Sequence, residues 1–262
     1  MQVALIYPPA LLKKYGTKTR YHLVLPHLFQ QRRYRDFYQK RSKEGDYIIL
    51  DNGAAEGLEF GQKHLHYVAR ELGAHEIVVP DRLGDSNETI ARGLAFSRYT
   101  QTGFRYMMVA QGTNVSECIM TLDMIMTDTK FGYITCVGIP RLINKTDRYA
   151  RFKVAKYIAQ KGYQKAMEFH FLGASNDLDE VGYLEQTGVG RGIDTSAPIY
   201  MGLKGYDIRF QDWTARPLNF FDLSKDTGLV EKNIETYLGW ANYDRKASLP
   251  EKSEYHQVEG SS

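Results

Sequence analysis

Cysteine is almost missing from this chain: Cys118 and Cys136 are the only two in 262 residues. Two thiols cannot staple a chain of this length, so no disulfide framework is expected and a reducing compartment is. Neither a CxxC nor a His-x-x-x-His spacing occurs, which argues against a structural zinc site. Cys118 falls in a helical pattern and Cys136 in a strand, where free thiols pack as small core residues. Long apolar runs are missing too, so no membrane-spanning helix is expected. The opening MQVALIY has no basic n-region or cleavage site and reads as a first strand, not a signal peptide; the expected location is the cytoplasm. The turn that follows, IYPPALLKK, lacks the glycines of a phosphate-binding loop, which disfavours a doubly wound open sheet. Net charge is scant: 34 Lys and Arg against 31 acids leave +3, too little by itself to mark a nucleic-acid binder.

What the chain does have is a beat. YIIL runs into Asp51, IVVP into Asp81, YMMVA into Gln111, ITCV into Gly138, MEFHFL into Gly173 and GI into Asp194, at intervals of 30, 30, 27, 35 and 21 residues. In a barrel of parallel strands the strand ends converge on one face, and that face carries the chemistry. Seven strands are expected at 2–7, 47–51, 76–80, 106–111, 133–138, 167–172 and 190–194. LVLP at 23–26 and IYMGL at 199–203 compete for the eighth.

Helical patterns fill the gaps. Residues 60–72 end at Gly73, and 115–127 start after Asn114 with Glu117 three places on, a capping box. Residues 147–161 place Tyr149, Phe152, Ala155 and Ile158 on one face and stop at Gly162; 177–187 end at Gly188. Strand and helix in alternation mean βα units. The expected fold is α/β: a single-domain TIM-like (β/α)8 barrel over residues 1–244, which suits a length near the ~250 residues such barrels need. Residues 204–227 read as a loop-rich excursion, 229–243 as a closing helix and 245–262 as a polar, disordered tail.

Between residues 13 and 43 stand ten Lys and Arg against one acid, Asp36, with tyrosines and phenylalanines interleaved. Lys13, Lys14, Lys18, Arg20, Arg32, Arg33 and Arg35 suit phosphate contact with base stacking. A solvated helix through LFQQRRYRDFYQKR, with a loop before it, explains the same residues. DNGAAEG at 51–57 puts a carboxylate before small residues that let a flat ligand approach the backbone; a turn or N-cap is the alternative. Asp81 faces the same choice. Gln111-Gly112 and Val137-Gly138 are weak singly and gain force only by sharing one end of consecutive strands.

Taken together these motifs resemble the tRNA-guanine transglycosylase superfamily, over roughly residues 45–205. Asp51-Asn52-Gly53-Ala54-Ala55 stands where that family has Asp-Ser-Gly-Gly-Phe. Asp81 in VVPD, Gln111-Gly112, Val137-Gly138-Ile139 and Leu172-Gly173 match later motifs, and GIDTSAPIYMG matches the nucleophile segment. The family's cysteine-rich zinc subdomain and its archaeal RNA-binding domains have no counterpart. The compact chain is therefore similar to the phage and bacterial branch that installs 7-deazaguanines in DNA, and would then sit in a host cytoplasm.

The resemblance implies a pentosyltransferase working by double displacement. Asp194 would attack C1′ and form a glycosyl-aspartate, and Asp51 would shuttle the proton. Asp81 would grip the guanine edge, and Gln111 and the Gly138 amide would donate to O6. His170, two residues before Leu172, alternates onto the same side as that step and would point into the same pocket; a lone strand histidine that is simply packed is the alternative. Partners so implied are DNA and a base such as 7-cyano-7-deazaguanine, with no cofactor, metal or membrane. The same exchange on tRNA, and an idle barrel that only binds nucleic acid, are the alternatives; a phosphate-handling metabolic barrel is disfavoured, because no glycine-rich phosphate loop stands near the last strands.

Overall fold

The computed structural model describes residues 1–145, 147–210, 216–217 and 219–242. Eight strands run parallel: β1 Gln2–Leu5, β2 Tyr21–Val24, β3 Tyr47–Leu50, β4 Glu76–Val78, β5 Arg105–Val109, β6 Cys136–Pro140, β7 Glu168–Ala174 and β8 Gly190–Thr195. Their order is β1-β8-β7-β6-β5-β4-β3-β2, and β1 packs beside β2 to bring the ring round. This is the (β/α)8 barrel expected from the beat. Around it lie the helices α1 Leu12–Tyr15, α2 Arg32–Lys43, α3 Gln62–Leu72, α4 Ser86–Phe96 and α5 Val115–Thr127. The ring continues with α6 Ala150–Lys161, α7 Leu178–Gln186, α8 Ala197–Leu203 and α9 Leu229–Ala241. Among the described residues no helix is long and apolar enough to cross a membrane.

Local chemistry explains the boundaries. Asn114 caps α5 by accepting the Glu117 N–H at 3.1 Å, and Glu117 Oε2 reaches back one residue past the cap, to the Thr113 N–H at 2.7 Å. Gly73 and Gly162 stop α3 and α6 in the left-handed conformation, at φ 65° and 71°.

Three expectations shift. Leu23 and Val24 of LVLP close β2, the eighth strand, and Pro26 opens a short 3-10 turn, whereas IYMGL folds into α8, where Pro198 sits in the first turn and Thr195 Oγ1 receives the Ala197 N–H. Helix α4 had no clear sequence signal: Gly93 interrupts it, because a side chain there would strike the Met108 thioether at 2.7–2.9 Å. On α6 the buried face carries Arg151, Val154, Ala155 and Ile158, and Tyr149 is exposed. A buried arginine breaks the apolar pattern; it survives because Glu180 on α7 binds it in bidentate fashion at 2.7 and 2.8 Å. The proposed tail at 245–262 lies outside the described residues, as does part of the 204–227 excursion.

Strand side chains alternate across the sheet, and every second residue points into the barrel. The inward residues at or beyond the strands' C-terminal ends include Leu23, Leu25, Asp51, Val78, Val109, Gln111, Leu172 and Asp194. These are the residues that line the cavity described next.

Candidate active site

A cavity of about 280 Å3 opens at the C-terminal mouth of the barrel. Its walls are Ile6, Leu23, Leu25, Val78, Val109 and Leu172, and its polar groups are Asp51, Asn52, Glu56, Asp81, Gln111, Arg141, Asp194, Ser196 and Arg216. A wider recess of about 460 Å3 at the other mouth has no carboxylate among the described residues that line it. The acidic cavity is therefore where the chemistry is sought.

Of the residues expected at the site, Asp51, Asp81, Gln111, Leu172, Gly173 and Asp194 line this cavity. His170 reaches it only through Asp194, whose Oδ1 lies 3.1 Å from His170 Nε2 and accepts the Gly173 N–H at 3.0 Å. Gly138 and Gly112 serve packing: a Cβ at Gly138 would meet Leu172 at 2.7 Å, and one at Gly112 the backbone at Cys118 at 2.7 Å.

Asp51 directly follows β3, just before the turn formed by Gly53 and Gly57, both left-handed at φ 84° and 70°. Burial first, then the negative charges of Glu56 and Asp194, hold its carboxyl well above the usual carboxylate range. Asp81 is committed within the protein. Its Oδ1 accepts from Asn52 Nδ2 at 2.9 Å and its Oδ2 from Gln111 Nε2 at 2.5 Å. Burial raises this carboxyl, and the two amides pull against that rise. Gln111 in turn receives the Gly84 N–H on its side-chain oxygen at 3.0 Å. Asn52, Asp81 and Gln111 thus brace three strand ends against one another.

Sequence reasoning missed Arg216, Arg141 and Glu56. Arg216 Nη2 pairs with Glu56 at 2.6 Å and its guanidinium lies over the Phe221 ring at 4.8 Å. Arg141 loses some of its basicity to burial first and to Arg151 next. The expected clamp, by contrast, is divided and mostly paired. Lys14 binds Asp226, Lys18 binds Glu231, Arg20 binds Asp46, and Arg32 and Arg35 both bind Asp36. Lys18 and Arg20 border the recess at the far mouth, on the side away from the acidic cavity. Among the described residues no group of three His, Cys, Asp or Glu side chains could hold a metal ion, and no lysine lines the cavity.

No family model and no curated protein matches the chain. Solved structures do. An HpcH/HpaI aldolase from Desulfitobacterium hafniense DCB-2 is 12% identical, with TM-score 0.52 over 79% of this chain and 90% of its own. A protein described as a fructose-1,6-biphosphate aldolase from Coccidioides immitis is 9% identical, with TM-score 0.53 over 91% of this chain and 90% of its own.

These findings overturn the transglycosylase resemblance. The exchange of guanine in DNA or tRNA, the pentosyltransferase class and the 7-deazaguanine partner are withdrawn, and so is the nucleic-acid-binding barrel: proteins of similar fold are named as aldolases. The physical reason is plain. Any (β/α)8 barrel repeats a strand about every thirty residues and ends each at the same rim. Motif order and spacing therefore reported the fold and not the family. At identities this low, what the two structures share with this chain is the (β/α)8 architecture.

Proposed function

We propose that this barrel is a lyase of the aldol type, acting on a small carbonyl compound by carboxylate acid–base chemistry. One observation carries the reading: Asp51, whose carboxyl is raised by burial and by neighbouring acids, shares one cavity with Asp194, whose Oδ1 accepts the Gly173 N–H and lies 3.1 Å from His170 Nε2. Two carboxyls in unlike surroundings divide the work into acid and base.

In the cleavage direction Asp194 takes the proton of a β-hydroxyl, and that O–H pair becomes the new C=O bond. The Cα–Cβ bond breaks, and its electrons form the enol C=C. The substrate's carbonyl oxygen then receives the proton of Asp51. A neutral carboxylic acid is a strong donor toward an oxygen that gains charge in the transition state. No imine is involved, in keeping with the lack of a lysine among the described residues of the lining. Arg141 and Arg216 suit the anionic end of a substrate, since a guanidinium grips a carboxylate with two parallel hydrogen bonds. The aldolase names of the two structures above agree with this class; the pocket, not the likeness, is its basis.

The test uses pyruvate and dihydroxyacetone as probes in D2O. Exchange of their α-hydrogens, followed by proton NMR, is expected above the buffer rate and is expected to fall at least ~10²-fold in Asp194→Asn. Exchange equal to buffer with both probes, or undiminished in the variant, contradicts the proposal.

A further inference from the structure

We propose that Arg191, Tyr21 and His170 form a one-way hydrogen-bond chain through the barrel interior that holds Asp194 as a proton acceptor. His170 and Tyr21 are then positioning residues; their catalytic meaning rests on the reaction proposed above, their geometry does not.

The direction of the chain follows from counting protons. Arg191 is a donor only, and its three nitrogens are all engaged: Nε to the Tyr21 oxygen at 3.1 Å, Nη1 to Glu168 at 2.6 Å and Nη2 to Glu76 at 2.6 Å. The Tyr21 hydroxyl, having accepted from Arg191, still has one proton to place, and the geometry gives it His170 Nδ1, 2.8 Å away, as acceptor. Burial raises the Tyr21 hydroxyl well above its ordinary range, so that proton stays in place at neutral pH. His170 Nδ1 is therefore bare, and the ring's single proton sits on Nε2, where it points at Asp194 Oδ1 at 3.1 Å. Each link faces the same way, toward Asp194.

Two features show that the chain is built in. Tyr21, His170 and Asp194 are all buried. Gly192 has no side chain because the Tyr21 ring fills the space: a Cβ there would meet that ring at 2.6 Å. Gly192 also lies two residues before Asp194 on the inward face of β8, so the ring crosses the barrel directly beneath the carboxylate.

The consequence is chemical. A proton gained by Asp194 cannot pass to His170, because Nε2 already carries one. The substrate proton must wait on Asp194 and return to the enol or to the product. The chain stores a proton at the site and does not conduct it away.

The direct measurement is a long-range proton–nitrogen NMR spectrum of the 15N-histidine-labelled protein at pH 7, with His170 assigned by its loss in His170→Gln. The expected pattern is a protonated Nε2 and a bare Nδ1, with that pattern lost in Tyr21→Phe, which keeps the ring that fills the barrel. A wild-type His170 protonated on Nδ1, or on both nitrogens, overturns the chain; so does an unchanged pattern in Tyr21→Phe. The α-hydrogen exchange assay then separates the two claims. Wild type with the expected tautomer but no exchange refutes the reaction and leaves the chain standing. If wild type does exchange, Tyr21→Phe should lower kcat roughly 10–100-fold, the range seen when a partner that orients a metal-bound histidine is removed, with KM nearly constant. A rise in KM alone would overturn the positioning role.

Discussion

Asp51 is 8% exposed and faces three further acids, Glu56, Asp194 and Asp81, so ionising it in the folded chain costs more than in the unfolded one. The sign of the linkage is fixed by that difference. Its carboxyl ionises at about pH 4 when unfolded and higher when folded. The stability it contributes is complete below the unfolded value and is lost as pH rises through the folded one. Asp51→Asn removes this dependence, so its Tm should gain on wild type by on the order of a few degrees between pH 4 and pH 8. Thermal melts across that range check it, and a variant that loses ground as pH rises contradicts it. Glu56 matters at the same scale, because it is the largest charged contributor to the raised Asp51 carboxyl and is itself tied to Arg216. Nothing in DNGAAEG announces that tie. Its partner lies 160 residues away, on a segment with no regular pattern.

Among the helices, the contact with most at stake is α6 against α7. Arg151 is fully buried, its guanidinium is held by Glu180 through two bonds, and Nη1 donates to the Leu172 carbonyl at 3.0 Å. That last bond anchors the end of β7 one residue before Gly173, whose amide contacts Asp194. Glu180→Ala leaves a buried charge without its partner, a loss of about 3–5 kcal/mol, and is expected to lower Tm by on the order of 10 °C. Calorimetry decides: a Tm within ~2 °C of wild type would show that Arg151 finds another partner. The same pair shows why helix faces were harder to read than strand ends. A periodicity search counts apolar residues, and it passed over Arg151 in favour of Tyr149 and Phe152. Helix α4 escaped because Gly93 and short polar residues weaken its pattern, although Asp85 caps it soundly by accepting the Glu88 N–H at 2.9 Å.

For the molecule as a whole, the winding of the chain converts sequence distance into proximity. Asp51 just after β3 and Asp194 on β8 are 143 residues apart and share one cavity. This much was legible, because strand ends are marked by apolar runs that stop on polar residues, and a parallel barrel puts such ends together. Six of the expected site residues duly line the cavity. The interior chain was not legible, since Tyr21, His170 and Arg191 are unremarkable strand residues until the barrel closes and stacks them. Nor was the substrate, since the rhythm that suggested a family belongs to every barrel of this kind. The acid–base division depends on the same convergence: without Asp194 and Glu56 brought close, Asp51 would lose two of the influences that raise it. The decisive measurement is a carboxyl 13C titration of Asp51 in the aspartate-labelled full chain, assigned by its disappearance in Asp51→Asn. An ionisation midpoint well above the ordinary range, with the acid form dominant at neutral pH, is the expected result; a midpoint at about 4 would leave the cavity without its proton donor and contradict the proposed chemistry.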